Sequence, residues 1–114
     1  MGKLTTHVLD TTHGCPAQGV EIRLFGEDGA QIAQATTNAD GRCDAPLLEG
    51  AAMKNGRYRL EFEVAEYYRE RGEELPETPF LDIVTINFGI ADANGHYHVP
   101  LLVSPYGYST YRGS

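Results

Sequence analysis

Apolar and polar side chains alternate one by one through most of the hydrophobic stretches of this chain. That two-residue period belongs to a strand with one face buried and the other turned out. From Arg57 to Val64 it is unbroken: Tyr58, Leu60, Phe62 and Val64 take one side, and Arg57, Arg59, Glu61 and Glu63 take the other. A helix would scatter these residues around its axis; a strand gathers each set onto one face. The period recurs in Leu4, Thr6 and Val8 against Thr5, His7 and Leu9, and in Val20, Ile22 and Leu24 against Glu21, Arg23 and Phe25. It returns in Val84, Ile86, Phe88 and Ile90, and in Tyr97, Val99, Leu101 and Val103 against His96, His98, Pro100 and Leu102.

Turn chemistry separates these runs. Glu27-Asp28-Gly29 and Asn38-Ala39-Asp40-Gly41 read as tight turns around a weaker strand near 31–36, with Arg42 opening a short segment just beyond. Asp92-Ala93-Asn94-Gly95 carries the Asn-Gly signal of a hairpin. Between 65 and 71 the period is lost among good helix formers, which predicts one short helix stopped by Gly72. Seven or eight short strands in 114 residues predict an all-β, two-sheet antiparallel sandwich with one short helix, folded as a single domain over 1–114.

Sixteen acidic and nine basic side chains give a formal charge of −7, a field that repels phosphate backbones and anionic membranes, so neither nucleic acid nor membrane is an expected partner. There is no apolar run of roughly 20 residues and no secretory signal at the N-terminus, which reads as a cytoplasmic chain. Cys15 and Cys43, outside any Cys-x-x-Cys pattern, are expected as free thiols.

Chemistry concentrates at the C-terminus. A strand with His96 and His98 on one face runs through Pro100-Leu101-Leu102-Val103-Ser104-Pro105 into Tyr111-Arg112-Gly113-Ser114. Imidazole titrates near neutrality, so His7 and His98 suit general acid-base work. His96 and His98 alone supply only two of the three or four ligands that zinc wants, which puts a metal site behind acid-base chemistry. His13, in a turn, and His96 read as solvated. Arg42 has a plain reading as a surface charge, and a sharper one as a planar fork that holds carbonyl oxygens and steadies an oxyanion.

The ending His96-Tyr97-His98-Val99-Pro100-Leu101-Leu102-Val103-Ser104-Pro105 with Tyr111-Arg112-Gly113-Ser114 resembles the transthyretin-related 5-hydroxyisourate hydrolases. So do Leu4-Thr5-Thr6-His7-Val8-Leu9-Asp10 with Gly14 and Pro16-Ala17, Asp40-Gly41-Arg42, and Gly56-Arg57-Tyr58. The resemblance covers essentially the whole chain. It implies two four-stranded sheets, a helix between the fifth and sixth strands, and first and seventh strands side by side. It also implies His7, Arg42 and His98 as catalytic residues, with His7, Arg42, Tyr111, Arg112, Gly113 and Ser114 binding substrate. The expected reaction is hydrolysis of the small molecule 5-hydroxyisourate in purine breakdown, without metal or organic cofactor. The expected assembly is a homotetramer, a dimer of dimers with sites at the subunit interface. It leaves open which histidine is base and which acid.

Two other functions fit the same sandwich: a non-catalytic small-ligand carrier with a transthyretin-like central channel, and a module that pairs its strand edges with other chains. The vertebrate carrier resembles this chain in fold but lacks the His7, Arg42, His98 and tail set, so those positions separate enzyme from carrier.

Overall fold

The computed structural model describes residues 1–113; Ser114 lies outside them. The alternating runs form β1 (Lys3–Asp10), β3 (Glu21–Phe25), β4 (Gln31–Thr36), β6 (Gly56–Glu63), β7 (Ile83–Ile90), β8 (His96–Ser104) and β9 (Gly107–Thr110), with two-residue strands β2 (Cys15–Pro16) and β5 (Leu48–Glu49) between them. One sheet runs β2-β1-β8-β9, with β5 also on β1, and the other runs β4-β3-β6-β7. Leu4 and Val8 of β1, Ile22 and Leu24 of β3, Leu60 and Phe62 of β6, and Leu101 and Val103 of β8 meet in one core. Each lies on the apolar side of its run, so the period decides which face is buried. Among the described residues, no helix is long and apolar enough to cross a membrane.

The sandwich departs from the sequence expectation in three places. First, β1 and β8 pair in parallel, with Thr5 opposite His98 and His7 opposite Pro100, whereas every other strand pairing is antiparallel. Alternation reports the face a residue takes and is blind to strand direction. Second, Asp92–Gly95 closes a tight turn through Gly95 N–H to Asp92 O (2.9 Å), yet it joins no hairpin, because β7 pairs with β6 and β8 with β1 and β9. Neither Asn94 nor Gly95 takes the positive φ that a type I′ hairpin turn demands, and the turn passes the chain from one sheet to the other. The Tyr97 hydroxyl accepts from the Ala91 and Asp92 N–H groups and fixes that crossing. Third, the first sheet has five strands, since β2 and β5 are too short to show a period.

The helix, α1 (Val64–Glu70), lies between β6 and β7, one residue earlier than predicted at its start. It buries Val64, Ala65, Tyr67 and Tyr68, and the chain leaves it through Gly72 at φ +91°. Its two tyrosines tie it to β1. Asp10, fully buried, accepts from the Tyr67 hydroxyl at Oδ2 (2.7 Å), while the Tyr68 hydroxyl sits 2.9 Å from Oδ1. His13 also contacts Oδ2 through Nδ1 (2.6 Å), and the Thr12 and His13 N–H groups donate to Oδ1. Burial pushes this carboxyl up, but the bonds from His13, Tyr67 and Tyr68 outweigh it and hold Asp10 below its ordinary range. His13, expected to be solvated, is instead engaged at both nitrogens, with Nε2 2.9 Å from Glu73.

Candidate active site

Parallel pairing places the odd residues of β1 and the even residues of β8 on one face of the sheet, away from the core. Lys3, Thr5 and His7 lie beside His96, His98 and Pro100. His98 stands opposite Thr5 and diagonal to His7, so its ring reaches both. The Thr5 hydroxyl is 2.7 Å from His98 Nδ1, and His98 Nε2 is 2.6 Å from His7 Nδ1. The two rings overlap, with centroids 4.8 Å apart and planes 28° from parallel. Residues that are 91 positions apart in sequence thus form one unit.

Arg42 arrives on the loop before β5. Asn38 shapes that loop: its side-chain oxygen accepts from the Asp40 and Arg42 N–H groups, and its backbone N–H donates to Arg42 O. Gly41 lies at φ +73°, and a Cβ there would stand 2.5 Å from Val8 O, so only glycine lets the loop touch β1. Val8 N–H donates to Gly41 O (2.8 Å), and Arg42 and His7 form an antiparallel bridge. The guanidinium is therefore delivered beside the imidazole pair by backbone contacts.

Those neighbours set the protonation of the pair. Burial lowers the His7 pKa below its ordinary value, and the charge of Arg42 lowers it further. His98 is also held low, by burial first and then by His7, Arg42 and His96. Both rings are neutral at neutral pH, the state in which an imidazole can take a proton.

A cavity of about 380 Å³ opens beside the pair, lined by Lys3, Thr5, Arg42, Asp44, His96 and His98 among others. His7 is not part of the lining and adjoins it through His98 and Arg42. Among the described residues, no three His, Cys, Asp or Glu side chains gather as a metal would require. Cys15 and Cys43 are free, and burial raises the pKa of the Cys43 thiol at the cavity wall.

The tail divides. Gly113 N–H donates to His98 O (2.7 Å), and a Cβ on Gly113 would approach His98 Cδ2 to 2.9 Å, so the bare glycine backbone lies against the ring. Tyr111 and Arg112 lie elsewhere within the single chain. The Arg112 guanidinium stacks 4.0 Å over the ring of Tyr97, on the other face of β8 from His98, and donates to His96 O. Tyr111 joins it in a second cavity bounded by Ile86 and Phe88 of the opposite sheet. The structure thus gathers His7, Arg42, His98 and Gly113 and keeps Tyr111 and Arg112 apart from them. Ser114, expected among the substrate contacts, lies outside the described residues. Thr5 was missed by sequence reasoning; its place on the His7 face was visible, but its contact with His98 depends on the register of β1 against β8.

Residues 4–113 match the model of the HIUase/Transthyretin family. The chain belongs to that family. Within it, a 5-hydroxyisourate hydrolase of Pseudomonas aeruginosa is 58% identical over 117 residues, covering 100% of this chain and 93% of the relative. The solved 5-hydroxyisourate hydrolase of Klebsiella pneumoniae superposes with a TM-score of 0.85 at 38% identity, with both chains covered completely. Sea bream transthyretin, solved with thyroxine, gives 0.84 at 32% identity over 97% of this chain and 94% of that one. A crystal structure of (S)-allantoin synthase gives 0.94 at 44% identity; this chain spans 99% of its own length but only 44% of that protein. The HIUase/Transthyretin family therefore includes both hydrolases and a thyroxine-bound protein, and the site chemistry has to distinguish between them.

Proposed function

We infer that this chain is an enzyme that hydrolyses 5-hydroxyisourate to 2-oxo-4-hydroxy-4-carboxy-5-ureidoimidazoline. The observation that carries the reading is the 2.6 Å contact between two neutral imidazoles beside Arg42. Among the described residues, His7 Nε2 has no hydrogen-bond partner, so it is the nitrogen placed to take a proton from water. The water oxygen adds to a ring carbonyl, and Arg42 stabilises the negative charge that collects on the carbonyl oxygen. Collapse breaks the bond from that carbon to the ring nitrogen. The protonated imidazole pair returns that proton to the nitrogen, which leaves as a neutral group, and the carboxylic acid formed releases water's second proton to solvent as it becomes a carboxylate. No step asks for a redox partner.

A single domain over 1–114, acting in the cytoplasm as a homotetramer with sites at its interfaces, completes the proposal. Assembly would bring Tyr111, Arg112 and Ser114 to the substrate, a placement that one chain alone does not give Tyr111 and Arg112. The carrier reading gives no account of a neutral imidazole pair held beside a guanidinium.

The decisive experiment mixes the protein with freshly generated 5-hydroxyisourate and follows the decay of its absorbance. Positioned acid-base groups supply about 10²- to 10⁴-fold in rate. His7→Ala and His98→Ala are each expected to slow turnover by an amount in that range while circular dichroism stays unchanged. Wild-type decay no faster than the buffer, or full activity in both variants, would overturn the reading.

A further inference from the structure

The partners of the imidazole pair fall in a line. From the Thr5 hydroxyl the contacts run 2.7 Å to His98 Nδ1, across that ring, then 2.6 Å from its Nε2 to His7 Nδ1, ending at His7 Nε2. Two neutral imidazoles sharing one contact hold a single proton between them, so fixing the proton on one ring fixes it on the other. If His98 carries its proton on Nδ1, its bare Nε2 accepts from His7 Nδ1–H and His7 Nε2 keeps its lone pair. If His98 carries it on Nε2, that N–H donates to His7 Nδ1, the His7 proton is forced onto Nε2, and no nitrogen at the end of the line can act as a base.

We propose that Thr5 is a positioning residue that selects the first arrangement, its hydroxyl oxygen accepting the His98 Nδ1–H and thereby keeping His7 Nε2 bare. This rests on the hydrolase reading above and specifies how that site is kept ready. Thr5 suits the task for three reasons. It lies directly opposite His98 in the β1–β8 register, so the contact needs no unusual backbone. It lines the cavity, so its own hydroxyl proton has somewhere polar to turn while the oxygen accepts. And an N–H deprived of a partner is penalised more than a bare ring nitrogen that can be left without a donor, so removing the oxygen disfavours the Nδ1–H form specifically. This is the logic of a base held in one tautomer by an orienting group, with a second imidazole interposed. Once His7 takes a proton from water, His98 Nε2 is already arranged to accept from the imidazolium and share its charge.

The test uses Thr5→Val, which keeps the branched shape and removes the hydroxyl, and Thr5→Ser, which keeps the hydroxyl and removes the methyl. Nitrogen-15 spectra of the full chain without substrate report which ring nitrogen of each histidine is protonated. In the wild type, His98 is expected on Nδ1 and His7 on Nδ1; in Thr5→Val both shift toward Nε2–H, and Thr5→Ser restores the wild-type pattern. In the 5-hydroxyisourate assay Thr5→Val is expected to lose about tenfold in kcat, the worth of one hydrogen bond, with little change in KM, and Thr5→Ser to recover it. Wild-type spectra showing His98 protonated on Nε2 would overturn the proposal. So would Thr5→Val with unaltered tautomers, or Thr5→Ser as slow as Thr5→Val. If Thr5→Val does not fold, the wild-type and Thr5→Ser spectra still decide it. Because the spectra need no turnover, a protein inactive toward 5-hydroxyisourate would refute the hydrolase reading while the tautomer result stood by itself.

Discussion

His7 and His98 cannot both be fully protonated while their facing nitrogens stay 2.6 Å apart, because two N–H groups would then point at each other. Burial and Arg42 add to that restriction and hold both pKa values below 6.5. The sign of the pH dependence follows. The rings are neutral above 6.5 and gain protons only as pH falls through their lowered values, so kcat/KM should be level across neutrality and decline on the acid side. Replacing Arg42 by Gln removes a positive charge that opposes protonation, so the acid limb should move to higher pH while overall turnover falls. A profile that rises toward acid, or a limb unmoved in Arg42→Gln, would contradict this account. Much of this site was legible residue by residue, since alternation placed His7 and His98 and the motif around Arg42 marked its loop. Thr5 was not, because nothing local to its strand says which β8 residue will face it.

At the level of elements, the most connected point is the end of β1. Asp10 gathers β1, the turn after it and α1, and receives the hydroxyls of two buried tyrosines. The alternation already pointed there: Leu4, Thr6, Val8 and Asp10 share one parity, and all four are buried. An inward carboxylate needs partners, which here come from a helix more than fifty residues away. Asp10→Ala leaves those hydroxyls without their acceptor and should cost about 3 kcal/mol in chemical denaturation. Because the carboxyl is held below its ordinary value of 3.8, its contribution is present above that pH and disappears as pH falls through the folded value. Acid unfolding that began no earlier in Asp10→Ala, with an unchanged denaturation midpoint at neutral pH, would rule this out. The failed hairpin at Asp92–Gly95 teaches the complementary lesson. A turn does form there, but without the left-handed geometry of an Asn-Gly hairpin, because the choice of partner strand is settled by burial across the whole sandwich.

On the scale of the molecule, the sheets end in strands that invite company. All four residues of β9 are exposed, and Tyr106, Tyr108 and Tyr111 leave large aromatic surfaces bare, as does Phe80, whose ring lies 6.2 Å from that of Tyr106. Open edges and exposed aromatics are costly on an isolated domain and are relieved when copies pair. Sedimentation at micromolar concentration should therefore give a tetramer, and Tyr108→Asp should lower the assembled mass and the rate of hydrolysis together. A wild-type monomer with full activity would refute both the assembly and the interface-borne site. The sequence could announce the exposed aromatics only through the parity of a short strand, and the meeting of Phe80 with Tyr106 needed the fold.

The side-by-side alignment of β1 and β8 also has a temporal consequence. A polypeptide leaving the ribosome presents His7 first and His98 only after 91 further residues have been added, and joining them requires closing a long loop. Any product of interrupted translation that stops before β8 carries half a relay and should be inert, so catalysis in this architecture doubles as a record that synthesis passed β8.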